Sequence, residues 1–340
     1  MSVNKIHSWN VPIWRQLWDA GSGLPHALLL AGPSGVGKSI FANALAARLL
    51  CENRSGDTAC GACPSCHWLA GGNHPDFRYV IPEADAEDAA ETDVGAGTKK
   101  KASTQIRIDQ IRELEDFVYM GGHRNQGRVI LVEPADAMNP AAANALLKIL
   151  EEPPATVYFI LVTSMWRRLL PTIRSRCRLL MFPRPPLEVA KKWLEDQGTA
   201  GAAQLLPMLG GAPLLALNEA ERGRAPLWNG LADTLANPGA DPLALAGRWE
   251  TQLKNNDGLT MEELVAVIQK WVFDLAQGRM TGNRRFFAGT GMKEAARAKI
   301  PGLIRCYDEM LRARALASHP LNTKLFLEDI AARYLRALST

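Results

Sequence analysis

The sequence predicts an α/β domain that is built around a phosphate-binding loop and followed by helical domains. The pattern G-x-x-x-x-G-K-S follows a short apolar run at 27–31, typical of a buried strand, and helical spacing over 40–50 comes directly after it. Further buried strands are predicted at 128–133 and 157–163, whereas residues 242–338 carry helical spacing without a strand pattern. Strands confined to the first part of the chain therefore indicate separate domains.

The phosphate-binding loop is the strongest functional signal, because strand, glycine loop and helix occur in the order that such a loop requires. Glycines allow successive backbone N–H groups to face an anion, which a β-carbon would obstruct. Lys38 is expected to reach the outer phosphates of a nucleotide, and the hydroxyl of Ser39 is expected to hold Mg²⁺. The predicted nucleotide-binding residues of the loop are Gly32, Pro33, Ser34, Gly35, Val36, Gly37, Lys38 and Ser39. The alternative is a plain glycine turn that opens a helix.

Length and composition limit the class of protein. The 340 residues are too many for one ordinary core and predict about two or three domains. The net charge of +4 permits contact with nucleic acid but does not indicate it. No run approaches the roughly 18 apolar residues of a membrane helix. Residues 1–9 also lack a signal pattern, so we expect a cytoplasmic protein without a membrane partner.

Four of the six cysteines crowd together just after the first predicted helix, and they are Cys51, Cys60, Cys63 and Cys66. Three of them form the pattern C-x₂-C-x₂-C, and thiolates spaced in this way can share one tetrahedral metal. A closed set of four sulfurs leaves no position for a reacting water. We therefore predict a structural zinc module at about 51–66, with His67 and His74 as spare ligand candidates. An iron–sulfur cluster and free buried thiols are the alternatives.

The end of the strand at 128–133 argues against ATP hydrolysis. In P-loop ATPases this strand carries a metal-coordinating aspartate, which a glutamate that activates water follows. Here the two positions are Glu133 and Pro134. Glu133 is one methylene longer than aspartate and can still hold a metal-bound water, but Pro134 has no carboxylate to orient or deprotonate a nucleophile. The strand at 157–163 ends in Thr163, the remaining candidate nucleotide-binding residue.

Two basic clusters allow two interpretations each. The segment 83–104 is acidic, then glycine-rich, then basic, with almost no large apolar residue, and this predicts a mobile loop. Its lysines, Lys99, Lys100 and Lys101, could contact DNA phosphates, but a solvated run of charge is the interpretation we favour. Further along, Arg174, Arg176 and Arg178 alternate, and on composition alone they fit a solvated face as well as a functional one.

Proline and glycine clusters set the domain boundaries. Pro183-Arg184-Pro185-Pro186 is a linker pattern, and Gly223, Pro226, Pro238 and Gly239 mark a second boundary over 223–240. We expect a P-loop domain over 1–182, a small helical domain over 183–225 and a further helical domain over 226–340.

Taken together, the motifs resemble those of a known family. Beside the P-loop and the cysteine module, the chain carries N-A-L-L-K-I-L-E-E-P-P at 144–154 and S-R-C at 175–177. These motifs, in this order, are similar to those of bacterial DNA polymerase III clamp-loader subunits, in the AAA+ class that also includes replication factor C. The similarity is densest over 20–220. It implies an AAA+ domain with an inserted Cys₄ zinc module, followed by an all-helical lid domain and a helical collar domain.

Within that family, the choice is between the ATP-hydrolysing γ/τ subunits and a non-hydrolysing subunit. Pro134 replaces the glutamate that activates water. No arginine occurs over 198–221, where the motor subunits carry a second-sensor arginine, and we expect no long tail beyond the collar. These three departures favour the non-hydrolysing subunit.

The resemblance also implies a mechanism and partners. Arg176 of S-R-C is expected to be an arginine finger, given in trans to the ATP site of a neighbouring γ/τ subunit. The chain would act as a stator in a hetero-oligomer of γ/τ and δ subunits that loads a sliding clamp onto primed DNA. ATP or ADP with Mg²⁺ is expected at its own P-loop. We expect no intrinsic catalysis, only membership of the DNA polymerase III holoenzyme, a DNA-directed DNA polymerase.

Three other functions fit parts of the sequence. An ATP-hydrolysing γ-type motor is the alternative within the family, and Pro134 argues against it. A small-molecule P-loop kinase leaves the cysteine module and the helical C-terminal part unexplained. An independent zinc-type DNA binder would need a basic recognition helix and a higher net charge than +4.

Overall fold

The computed structural model describes residues 5–18, 23–54, 56–85, 103–119, 127–255, 259–287, 298–317, 319 and 322–339. It divides into two compact units, Met1–Pro185 and Pro186–Thr340. The predicted mobile loop at 83–104 falls mostly outside the described residues, and its lysines Lys99, Lys100 and Lys101 lie wholly outside them.

The first unit is built on a parallel sheet. Its strands are β1 (Ala27–Ala31), β2 (Phe77–Val80), β3 (Arg128–Val132), β4 (Val157–Thr163) and β5 (Arg178–Met181). They lie in the order β2-β3-β4-β1-β5, and every neighbouring pair is parallel. In register, Leu29 of β1 lies between Leu161 of β4 and Leu179 of β5. The predicted strands at 27–31, 128–133 and 157–163 are confirmed, whereas β5 had no sequence signal of its own.

Helices cover both faces of this sheet. In chain order they are α1 (Val11–Trp18), α2 (Lys38–Leu50), α3 (Pro64–Ala70), α4 (Ile108–Tyr119), α5 (Pro140–Glu151) and α6 (Pro171–Arg176). Successive residues of β1 enter different cores, because side chains alternate across a strand. Leu29 packs into the core that includes α4 and α5, and Leu28 packs into the core that includes α1 and α2. Strands covered in this way read as continuous apolar runs, as β1 and β3 do.

Parallel strands place their carboxyl ends at one edge of the sheet, and in α/β proteins ligands bind there. β1 leads into Gly32, β3 into Glu133, and β4 ends at Thr163. The three segments that the sequence singled out for nucleotide binding therefore meet at a single edge.

The second unit is helical throughout its described residues. Its helices are α7 (Leu187–Gln197), α8 (Ala202–Leu205), α9 (Pro213–Glu221), α10 (Ala225–Ala236), α11 (Pro242–Asn255), α12 (Met261–Thr281), α13 (Ile300–Leu316) and α14 (Thr323–Ser339). Their buried apolar side chains form one cluster that runs from Ala190 to Ala337. The α/β P-loop part of the predicted fold is confirmed. The division of the helical part into a lid over 183–225 and a collar over 226–340 stays a prediction.

Local hydrogen bonds explain where two of the helices begin. Asn139 precedes α5 and its side-chain oxygen accepts a hydrogen bond of 2.8 Å from the N–H of Ala142. Thr260 and Glu263 form a reciprocal capping box at the start of α12. Among the helices of the described ranges, none is both long and apolar enough to cross a bilayer.

Candidate functional site

The phosphate-binding loop joins β1 to α2 in a conformation that glycine permits. Gly35 and Gly37 have φ angles of 73° and 93°, in the left-handed region that other residues rarely adopt. Gly32 is required for a different reason, because a β-carbon there would lie 2.3 Å from the carbonyl oxygen of Phe182. The N–H of Gly32 also donates to the carbonyl of Thr163 at 3.3 Å. The start of the loop is thus held by both β4 and the segment after β5.

Lys38 lies inside this loop with its side chain largely enclosed, and the residue is only 6% exposed. Its ammonium donates to the carbonyl oxygens of Gly32 at 2.9 Å and Pro33 at 2.7 Å. Burial lowers the pKa of Lys38, and the nearby carboxylates of Glu133 and Asp136 oppose that shift. A cation surrounded by loop backbone at the start of a helix is the arrangement that recognises phosphate.

Ser39 is joined to the carboxylate that ends β3. Its hydroxyl donates a hydrogen bond to Oε1 of Glu133. The hydroxyl of Tyr79, at the end of β2, donates to Oε2 of the same carboxylate at 3.0 Å. Burial and the adjacent Glu133 raise the pKa of Tyr79, so its hydroxyl stays a donor. A hydroxyl and a carboxylate beside phosphate-binding backbone are ligands that Mg²⁺ prefers, so the residues present fit this ion.

Thr163 makes the third connection at this edge. Its hydroxyl donates to Asp136 and accepts a hydrogen bond of 2.9 Å from the N–H of Met165. The sequence pattern singled out Glu133 and Pro134 at this strand end, but not Asp136. The available signal was its place three residues beyond the strand-ending Glu133, in the run E-P-A-D. Pro134 lies between the two carboxylates and contributes no base of its own.

The segment before α1 also holds the loop, which the sequence did not predict. The indole N–H of Trp9 and the side-chain amide of Asn10 both donate to the carbonyl of Val36, at 3.0 and 2.9 Å. The ring of His7 stacks on Trp9 with centroids 4.5 Å apart. Burial, assisted by the charge of Lys5, lowers the pKa of His7 to about 4. The neutral ring is therefore the form that belongs to the folded protein.

The four cysteines of the predicted zinc module come together between α2 and β2. The sulfur atoms of Cys51, Cys60, Cys63 and Cys66 all lie within 4.8 Å of one another. Those of Cys51 and Cys63 are 4.0 Å apart, as are those of Cys60 and Cys66. Zinc–sulfur bonds of about 2.3 Å in a tetrahedron place sulfurs about 3.8 Å apart. The donor set therefore fits a structural zinc ion.

Backbone N–H groups donate hydrogen bonds to the cysteine sulfurs, as they do to thiolates. The N–H of Cys60 donates to Cys51 at 3.2 Å, and that of Cys63 donates to Cys60 at 3.3 Å. Burial raises the pKa of Cys63, but hydrogen bonds from the backbone of Cys66 and Glu52 and from the side chains of Cys66 and Cys60 outweigh it and bring the value to about 6. Burial raises the pKa of Cys51 and Cys66, and a bound metal would hold all four cysteines as thiolates.

The two spare ligand candidates do not join this group. Within the described residues the cluster that could hold a metal consists of cysteines alone. The Nδ1 atom of His74 instead accepts a hydrogen bond of 3.0 Å from the N–H of Asp76, and His67 is exposed on α3.

Arg176 ends α6 at the surface of the first unit. Its side chain is 34% exposed, and one of its Nη atoms donates to the carbonyl of Thr172 at 3.0 Å. The other donates to Oε1 of Glu151 at 2.6 Å. Arg174 lies over the ring of Trp166 at 5.2 Å, and Arg178 belongs to β5. The three alternating arginines therefore do not share one face, because a helix ends and a strand begins between them.

The fold and these sites define an α/β P-loop protein with a four-cysteine centre. Comparison with known proteins gives the family. The family model described as "DNA polymerase III, delta subunit" matches residues 16–186, half of the chain. The chain belongs to this family.

The similar proteins agree with this family. A protein of Pseudomonas aeruginosa named DNA polymerase III subunit delta′ is 39% identical over 62% of this chain and 60% of its own length. A Mycobacterium tuberculosis protein named DNA polymerase III subunit gamma/tau is 33% identical over 64% of this chain and 35% of its own length. The chain spans between 56% and 63% of the length of the first curated relatives it matches. The predicted resemblance to bacterial DNA polymerase III subunits is confirmed, and the first curated relatives are named subunit delta′.

A solved structure of a gamma subunit-related protein from Thermotoga maritima covers 97% of this chain and 100% of its own. It is 17% identical, with a TM-score of 0.46.

Proposed function

We propose that this chain is a δ′-type stator subunit of a clamp loader, which binds nucleotide without hydrolysing it. It would assemble in the cytoplasm with γ/τ and δ subunits and support ATP-dependent loading of a sliding clamp on primed DNA. The names of its relatives support membership of such a complex. One observation carries the proposal. The loop from Gly32 to Ser39 is intact, but Pro134 occupies the position at which hydrolysis needs a base.

Nucleotide binding is supported by the loop itself. Lys38, Ser39 and the backbone of 32–37 lie together at the carboxyl edge of the sheet, with Glu133 in place to hold a metal-bound water. Hydrolysis needs in addition a group that orients and deprotonates water. Glu133 accepts hydrogen bonds on both oxygens, from Ser39 and Tyr79, and the side chain of Pro134 can accept none. ATP or ADP with Mg²⁺ would thus remain bound and stabilise the subunit.

Arg176 would complete the ATP site of a neighbouring γ/τ subunit. A guanidinium stabilises the charge that develops on a transferring phosphoryl group, and its planar fork can hold two oxygens at once. Arg176 stands at the end of a helix and is partly exposed, so it can reach a second chain. The cysteine centre would only shape the fold, because a closed set of four thiolates leaves no position for chemistry.

The test is ATPase turnover of a reconstituted clamp loader, with clamp and primed DNA, beside that of the isolated chain. Arg176→Ala should lower turnover at the site that receives the finger by a factor on the order of 10³. Arg168→Ala is the matched control, because Arg168 is an exposed arginine a few residues earlier in the same segment. Full activity of the complex with Arg176→Ala would exclude the finger.

The γ-type motor is the competing function, because the P-loop is intact and a γ/tau relative is 33% identical. Steady-state turnover by the isolated chain separates the two functions. ATP hydrolysis that disappears in Lys38→Ala would identify a motor and contradict the stator proposal.

A further inference from the structure

We infer that Glu151 is a positioning residue for Arg176, an inference that rests on the proposed arginine finger. The two side chains meet from different helices. Nη2 of Arg176 donates a short, charge-assisted hydrogen bond of 2.6 Å to Oε1 of Glu151. The second Nη is held at 3.0 Å by the carbonyl of Thr172, one turn earlier in α6. Two contacts from two directions fix both the position and the plane of the guanidinium.

The contacts leave the guanidinium able to act on another molecule. Arginine has five N–H donors in a rigid fork, and two of these are used within the chain. The remaining donors can face phosphate oxygens while Glu151 and Thr172 keep their bonds. The side chain of Glu151 is 51% exposed and that of Arg176 is 34% exposed, so the pair lies at the surface, where a second subunit can reach it.

Glu151 stands on a rigid support. It is the last residue of α5, whose preceding residues Ile149 and Leu150 are each 1% exposed. Pro153 and Pro154 follow and prevent the helix from continuing. The backbone that carries Glu151 is therefore fixed, and the hydrogen bond from Arg176 is made to a fixed part of the fold.

The position of Glu151 is unfavourable for the helix taken alone. The end of a helix carries partial negative charge, so a carboxylate there is repelled and a cation is attracted. Arg176 offsets the charge of Glu151 and also ends its own helix, where a cation is favoured. A local helix argument thus accounts for Arg176 but not for Glu151, whereas a role in holding the arginine accounts for both.

This role predicts a particular kinetic effect. Without Glu151 the arginine samples more orientations, and fewer of them reach the phosphoryl group of the neighbouring site. Because the finger acts on the transition state, kcat should fall while the KM for ATP stays unchanged. The decrease should be about two- to fivefold, the range that an exposed ion pair supports.

The experiment uses the reconstituted clamp loader with clamp and primed DNA, and measures kcat and KM for ATP. The variants are Glu151→Ala, Glu151→Gln, Arg176→Ala and the double variant Glu151→Ala with Arg176→Ala. Glu152→Ala is the matched control, because Glu152 is an exposed carboxylate that follows directly in the chain. Gel filtration of each complex checks that the variants assemble.

We expect a lower kcat with Glu151→Ala, a partial recovery with Glu151→Gln, and wild-type behaviour of Glu152→Ala. In the background of Arg176→Ala, loss of Glu151 should have no further effect, because its action runs through that arginine. An effect of Glu151→Ala that persists in this background would overturn the inference. Full activity of Glu151→Ala together with impaired activity of Arg176→Ala would also overturn the inference, but it would leave the proposed function intact. Full activity of Arg176→Ala would overturn both.

Discussion

The carbonyl oxygen of Phe182 lies 2.3 Å from the place where a β-carbon on Gly32 would stand. This relationship ties the first glycine of the phosphate-binding loop to the chain that follows β5. Phosphate recognition is thus not needed to explain why this position is glycine. The close approach of two backbone segments is sufficient, and it acts whether or not a ligand is bound.

Gly32→Ala should therefore destabilise the protein by about 3 kcal/mol, since a β-carbon cannot be accommodated without moving backbone. Gly23→Ala is the matched control, because Gly23 also has a left-handed φ of 76° but nothing within 4 Å of its β-carbon position. It should cost about 1 kcal/mol, from backbone strain alone. Urea unfolding followed by tryptophan fluorescence measures both values. Equal losses for the two variants would contradict the argument from Phe182.

The four-cysteine centre predicts about one zinc ion per chain after purification without chelator. Cys63→Ser should lose the metal and lower the thermal unfolding temperature, because binding free energy of such sites contributes to folding. Cys177→Ser is the control, since Cys177 is a buried cysteine remote in sequence from the cluster. Elemental analysis and thermal unfolding are the measurements. Iron and inorganic sulfide in the purified protein would contradict the zinc prediction and favour an iron–sulfur cluster.

The phosphate-binding loop around Lys38 predicts that the isolated chain binds nucleotide. Lys38→Ala should weaken Mg²⁺–ATP and Mg²⁺–ADP binding about ten- to hundredfold, because charge-assisted hydrogen bonds to phosphate are lost. Isothermal titration calorimetry gives the dissociation constants. Lys191→Ala, an exposed lysine on α7, should bind as wild type does. Unchanged affinity in Lys38→Ala would mean that the loop has a structural role only.

We expect the buried His7 to contribute to the decrease in the free energy of unfolding of the first unit in acid. Its pKa in the fold is about 4, against an ordinary value of 6.5. Between these values the unfolded chain binds more protons at this residue than the fold does, so the free energy of unfolding falls as pH falls from about 6.5 to about 4. His7→Phe should make this decline shallower.

His26→Asn, at an exposed histidine of the same unit, should leave the pH dependence as in wild type. Urea unfolding at several pH values compares the three proteins. A decline in His7→Phe as steep as that of the wild type would show that His7 titrates normally in the fold.

Much of the site was readable from the sequence, because its chemistry lies in contiguous patterns. The spacing of the loop singled out the residues from Gly32 to Ser39, and the cysteine spacing singled out the four cysteines that the fold brings together. Strands β1, β3 and β4 read as apolar runs because helices cover both faces of the sheet. In each case the physical cause acts over a few residues, so the local sequence contains it.

The parts of the site that the sequence did not predict depend on contacts between residues that lie far apart in the chain. Trp9 reaches the carbonyl of Val36 across 27 residues, and Tyr79 reaches Glu133 across 54. Nothing in the neighbourhood of either residue indicates its partner. Asp136 is a different case, because it stood close to a position that the sequence did single out. The pairing of Glu151 with Arg176 joins two motifs that the sequence identified separately.

The double attachment of Thr163 has a mechanical consequence. Its carbonyl accepts from the N–H of Gly32, and its hydroxyl donates to Asp136. Thr163, at the end of β4, therefore connects the loop after β1 to the turn after β3 by two hydrogen bonds. A displacement of either segment would therefore strain a hydrogen bond of Thr163, so the ends of these three strands constrain one another even without a ligand.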